Sequence, residues 1–205
     1  MGLLETSSMS IESVIRPAEE TDGAAIAEIY APYVRETAIS FELEPPTAAV
    51  MARRIAMTVN THPWLLATQG HEVVGYAYAG KHRDRPAYQW TVDVTIYVSP
   101  ERREQGIGRA LYRVLLDTLR QQGFRSAFAE IVLPNPGSIR LHETAGFELI
   151  GVHKNIGFKL GSWHDIGYWR IGLAAPDVQP SDPVPFRTFR LLPQFAALLG
   201  LPYSN

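Results

Sequence analysis

Arg103-Glu104-Gln105-Gly106-Ile107-Gly108-Arg109 is the segment whose residue types and spacing point most directly to chemistry. It is basic and glycine-bearing, follows the apolar run Thr91 to Val98, and leads into a stretch with helical apolar spacing. A strand, a loop and a helix start in that order make an anion site. The first N–H groups of a helix lack intrahelical partners, and the macrodipole places partial positive charge there. Glycine lets backbone approach a pyrophosphate, and arginine adds charge-assisted bonds. A plain strand–helix turn would look similar. Two other phosphate motifs are excluded: there is no Gly-x-x-x-x-Gly-Lys-Ser/Thr, and the glycine loop follows the fourth expected strand, where a dinucleotide fold has it after the first.

A second cluster is the run Lys81-His82-Arg83-Asp84-Arg85, close to Ala87, Tyr88 and Gln89. It offers counter-charge to a substrate carboxylate, or else is a solvated surface turn. Cysteine is absent, which removes disulfides, thiolate catalysis and cysteine-based metal sites; no metal is expected. The formal charge of −2 gives no global basic field, so neither nucleic acid nor an anionic membrane is an expected partner. No run of about 20 apolar residues is present to span a bilayer. A cytoplasmic location is the expectation.

These residues need elements to hold them. Residues 1–12 read as a disordered leader, and residues 13–174 as one α/β domain. Ser13 to Pro17 is an expected strand, and Ile26, Ile29, Tyr30, Tyr33 and Val34 recur at helical spacing. A second helix is expected from an N-cap at Thr47 to about Val59. Trp64–Thr68 and Val73–Tyr78 flank a glycine turn as a hairpin. A strand over Thr91–Val98 precedes a helix carrying Ile107, Ala110, Leu111, Val114, Leu115 and Leu119, closed by Gly123. Then come a strand over Ser126–Val132, a short helix over Ser138–Ala145, and strands near Phe147–Val152 and Asp165–Leu173. Residues 175–205 form a proline-rich extension, in which Pro193 starts and Gly200 ends a short helix. Its Phe195, Leu198 and Leu199 share one face and should dock. This order gives a mixed sheet with packed helices.

Arg103-x-x-Gly106-x-Gly108 resembles the Gln/Arg-x-x-Gly-x-Gly/Ala motif of the GNAT superfamily of N-acetyltransferases. Further blocks resemble its phosphinothricin N-acetyltransferase group: Ile15-Arg16-Pro17-Ala18, Ala87-Tyr88-Gln89-Trp90-Thr91, Tyr97-Val98-Ser99-Pro100, Leu133-Pro134-Asn135, Leu141-His142-Glu143 and Gly161-Ser162-Trp163-His164-Asp165. The resemblance implies a GNAT fold, a mixed α/β sheet splayed between strands 4 and 5 with helices on both faces. It implies an acetyl-CoA-dependent N-acetyltransferase acting on a small amino-acid-like amine, of the phosphinothricin, methionine sulfone or methionine sulfoximine type. Transfer would be direct, within a ternary complex. A protein N-terminal or lysine acetyltransferase, or a non-catalytic acyl-CoA-binding domain, would share the cofactor motifs. Relatives are usually homodimers.

For the site, the resemblance implies that Ile96, Tyr97 and Val98 present backbone to acetyl-CoA. Arg103 and the amides of Glu104, Gln105, Gly106, Ile107, Gly108 and Arg109 would cradle its pyrophosphate, with Asn135 and Ser138 on the cofactor arm. The family's glutamate base falls on Asp93, one methylene shorter, so its carboxylate lies about 1.5 Å back, a gap one water can bridge. His142 falls where many relatives have a tyrosine that protonates the leaving thiolate. Phe41, Tyr78 and Trp163 are expected as apolar substrate walls, unless they pack the core. Lys81, Arg83, Arg85, Ala87, Tyr88 and Gln89 are expected at the substrate's charged end.

Overall fold

A computed structural model describes residues 13–175 and 179–200; the expected leader and Pro176 lie outside the described residues. Among the described residues seven strands form one sheet in the order β1-β2-β3-β4-β5-β7-β6. They are β1 (Val14–Pro17), β2 (Trp64–Gln69), β3 (Glu72–Lys81), β4 (Thr91–Val98), β5 (Ser126–Leu133), β6 (Glu148–Lys159) and β7 (Ser162–Gly172). The helices are α1 (Gly23–Glu36), α2 (Ala48–Thr58), α3 (Ile107–Gln122), α4 (Pro136–Thr144), α5 (Phe186–Phe189) and α6 (Pro193–Leu198).

Alternation along each strand splits the core into two layers. One face carries Trp64, Leu66 and Tyr76 under Ile26, Tyr30 and Tyr33 of α1 and Met51 and Ile55 of α2. The other carries Leu65, Ala67, Val92 and Val94 under Leu111, Leu115 and Leu119 of α3. Thr47 caps α2 by accepting the Val50 N–H. Gly123, at φ 100, ends α3 in the left-handed region that a helix stop commonly uses.

All pairs are antiparallel except β4–β5, which is parallel and covers only Thr91–Ser126, Val92–Ala127 and Asp93–Phe128. Beyond Asp93 the two strands part, and β5 continues against β7 as far as Leu133. The sheet is therefore mixed, splayed beside β4 and β5, with helices on both faces.

The last two strands are longer than periodicity predicts. β6 and β7 continue to a two-residue turn at Leu160-Gly161, both with positive φ as a tight hairpin of matching twist needs. Solvent lies on much of this arm: Ile156, Phe158, Leu160 and Trp163 are all exposed, so no in–out alternation marks it in sequence. The C-terminal extension docks on its own domain. Phe186, Phe189 and Phe195 are buried in the α3 layer, and the Val184 N–H donates to the Gln122 carbonyl at 2.8 Å.

Candidate active site

Asp93 stands at the last β4–β5 pair, on the strand face that carries Thr95 and Tyr97 toward α1. The antiparallel pairing of Gly80 with Asp93 sets the end of β3 beside it. Two residues further, His82 turns back, and its Nδ1 lies 2.6 Å from Asp93 Oδ1. The imidazole stacks on Phe128, the β5 partner of Asp93, with centroids 4.7 Å apart, and meets the edge of Tyr88 at 5.9 Å. Burial pushes the Asp93 carboxyl up, against the opposing pull of the His82 hydrogen bond. Partial desolvation and the nearby Asp93 charge also raise Glu130, on the same face of β5. A histidine, two carboxylates and the mouth of the strand divergence thus meet in one place.

The helix end expected to bind an anion is built as its sequence requires. Gly106 is the N-cap of α3 at φ 78, with nothing within 4 Å of a notional Cβ. Its freedom is conformational. Gly108 serves a different purpose: a Cβ there would meet Leu141 Cδ2 at 3.0 Å, so this glycine lets α4 pack close to α3. Ile96 lies just beyond, 3.7 Å from the same point. Arg103 is exposed and rests over the Tyr33 ring at 5.2 Å. The exposed Glu104 and Gln105 complete the loop. A cavity of about 500 Å³ runs from Gly106 along α3 toward α4, with Arg109, Arg113 and Arg120 on its wall. Arg120 is paired with Asp117. On β4, the Val98 carbonyl accepts from Tyr33 Oη at 2.5 Å.

His142 lies in the core. It is only 4% exposed and packs against the rings of Tyr112 and Phe147. Nδ1 lies 2.7 Å from the Ser138 carbonyl, and an acceptor-only carbonyl requires the proton on Nδ1. Nε2, 2.6 Å from the Tyr112 hydroxyl, must then accept. Burial lowers the imidazole pKa, against the opposing pull of the Ser138 backbone hydrogen bond. Both ring nitrogens are thus engaged within the protein, which ties α4 to Tyr112 of α3. Asn135 is likewise occupied: it is the N-cap of α4, its Oδ1 accepting the Ser138 N–H at 3.2 Å.

The expected substrate residues separate. Tyr78 lines a second cavity, of about 320 Å³, together with Tyr30, Arg54, Trp64, Thr95 and Tyr97. Trp64 stacks on Tyr78 at 4.2 Å. Trp64 Nε1 is buried and has no acceptor among the described residues. Arg54 is held by Glu42 at 2.7 Å. Phe41 leaves this cavity and lies on β6, where a Cβ at Gly157 would collide with its ring. Trp163 is no buried wall; it is 61% exposed at the arm, edge-on to Phe158. Lys81 pairs with Asp84 at 3.3 Å, which reduces its value as a counter-charge. Arg83 lies near Asp93 and Glu130, whereas Arg85 and Ala87 are exposed. Gln89 donates to Asp182 of the extension at 3.1 Å. Among the described residues no group of three or more His, Cys, Asp or Glu is placed to hold a metal, and no helix is long and apolar enough to cross a membrane.

Sequence reasoning missed His82, Glu130 and Arg54. His82 sat inside a run read only for its positive charge, and its partner lies 11 residues away. The signal that could have found it was the hairpin register, counted back from Asp93.

Residues 15–167 match the family model for the acetyltransferase (GNAT) domain. The chain is 40% identical over 162 residues to the phosphinothricin N-acetyltransferase of Streptomyces viridochromogenes, covering 79% of this chain and 88% of that protein. It is 34% identical to the L-methionine sulfoximine/L-methionine sulfone acetyltransferase of Salmonella typhimurium, over 80% of this chain and 98% of the relative. Among solved structures, the phosphinothricin acetyltransferase of Sinorhizobium meliloti in complex with AcCoA superposes with a TM-score of 0.80 at 38% identity. That match covers 84% of this chain and 95% of the other.

Proposed function

The chain belongs to the GNAT acetyltransferase family, closely related to its phosphinothricin N-acetyltransferase group, and from that premise we propose how its own residues carry out acetyl transfer to a small amino-acid-like amine. The observation that carries the reading is the parting of β4 and β5 just beyond Asp93. Acetyl-CoA supplies a thioester, whose carbonyl carbon is the acetyl donor. The residues present fit it: Ile96 to Val98 have no β5 partner, the α3 start supplies oriented N–H groups, and Arg109 and Arg113 line the adjoining cavity.

The acceptor enters from the α1–α2 side, into the aromatic cavity of about 320 Å³. Its Thr95 wall is on the same face of β4 as Asp93, so an amine at the inner end of the cavity reaches the divergence point. Aromatic walls suit a methionine-like side chain. Acylation needs a neutral amine, and Asp93 stands where the proton must leave. The active protein works in the cytoplasm and as a homodimer, joined through the exposed apolar β6–β7 arm at Phe158, Leu160 and Trp163.

Thiol release from acetyl-CoA, followed with phosphinothricin, methionine sulfone, methionine sulfoximine and the common amino acids, tests the reading. The first three should give the highest kcat/KM. No release above background hydrolysis with any of these amines would refute it. Light scattering tests the dimer.

A further inference from the structure

We propose that His82 is the general base of this enzyme, and that Asp93 positions it. The proposal rests on the acetyltransfer reading above. A bare aspartate is a poor base at neutral pH and lies short of the place a longer carboxylate would reach. This chain pairs that short carboxylate with an imidazole at 2.6 Å. The two residues lie on different strand ends, brought together by the Gly80–Asp93 register. Phe128 fixes the ring plane from below, so the imidazole covers the last paired residues before β4 and β5 separate. Its side chain is 15% exposed, sheltered but not sealed.

A carboxylate only accepts, so Nδ1 carries the proton toward Asp93 and Nε2 keeps the lone pair. A histidine held in one tautomer by a carboxylate follows the same logic even where, as here, the carboxylate is partly exposed, and the carboxylate also stabilises the imidazolium once it forms. An incoming ammonium gives one proton to Nε2, which passes it to solvent. The freed lone pair forms the nitrogen–carbon bond to the acetyl group as the carbon–sulfur bond breaks. The second N–H proton leaves through the same imidazole and reaches the departing sulfur. Amide, thiol and one solvent proton are the products.

The charged and titratable groups facing the ring are Asp93 on β4, Glu130 on β5, Arg83 on the same turn and Tyr88 beside it. His153 on β6 and Tyr168 on β7 approach through Glu130.

The test is steady-state thiol release by the full chain across pH, using whichever panel amine is turned over best. The variants are His82→Gln, His82→Ala, Asp93→Asn and the double variant His82→Gln/Asp93→Asn. Acetyl-CoA affinity by calorimetry checks each fold. Losing a general base costs about 10²–10⁴-fold in kcat, with acetyl-CoA affinity retained. The pH–rate profile should change in His82→Gln, imidazole should partly rescue His82→Ala, and the double variant should fall little below the worse single, because the two act as one unit. If His82→Gln stays within about threefold of the parent with the same pH profile while Asp93→Asn collapses, the aspartate is the base and the proposal is wrong. A parent that turns over no amine overturns the acetyltransfer reading, and the base with it.

Discussion

Phe186→Ala probes whether the C-terminal extension is part of the folded unit. Phe186 is fully buried, meets Phe195 edge-on at 5.4 Å, and donates its N–H to the Thr61 carbonyl at 3.0 Å. Truncating a buried phenylalanine costs about 3–5 kcal/mol, from lost transfer energy and the cavity left behind. The lost edge-to-face contact with Phe195 is included in that range. For a chain of this size each kcal/mol lowers Tm by about 2–4 °C, so a drop of about 6–20 °C is expected. Calorimetry gives the melt, and limited proteolysis shows whether the extension has detached by itself. Acetyl-CoA affinity should hold, because the extension is tied to the C-terminal end of α3 through Val184 and Gln122, whereas the proposed anion site lies at its start. Detachment alone would give cleavage near residues 179–185 with a surviving core. An unchanged melt together with unchanged protease resistance would refute the packing argument.

Lys159 is buried, and its Nζ donates to the Val34 and Ser40 carbonyls at 2.7 and 2.6 Å, tying β6 to the loop that carries Phe41. Lys159→Met should leave both carbonyls unpaired and cost about 1–3 kcal/mol in urea denaturation. Glu42 is held below the usual carboxylate range, chiefly by its Arg54 hydrogen bond. Its contribution is therefore present above the ordinary glutamate pKa and is lost as pH falls through the lowered folded value. The pair is partly exposed, so Glu42→Gln should remove less than about 1 kcal/mol at neutral pH and flatten the acid side of a stability–pH curve. Gly106→Val forces a β-branched residue to positive φ at the α3 start, and calorimetry should show acetyl-CoA binding weakened by about tenfold or more with the fold retained. Gly108→Leu should instead act mainly on the melting temperature, because it drives a side chain into Leu141.

The β4 strand and the helix that follows it were legible in sequence because their signals are local. Apolar residues repeat with the period of each element, Gly123 marks the helix stop, and Gly106 marks the helix start. The extension's short helix was readable for the same reason, from Pro193 and Gly200. What Asp93 and His142 do was not legible, because each depends on a partner that chain geometry brings in from elsewhere. The β3–β4 register delivers His82 to Asp93, and α3 packing delivers Tyr112 to His142 across 30 residues. The solvated β6–β7 arm also escaped, since a strand with no buried face leaves no alternation to read. Periodicity records which way a side chain points along its own element. Register and packing decide what it meets there, which for His82 is Asp93 and for His142 is Tyr112.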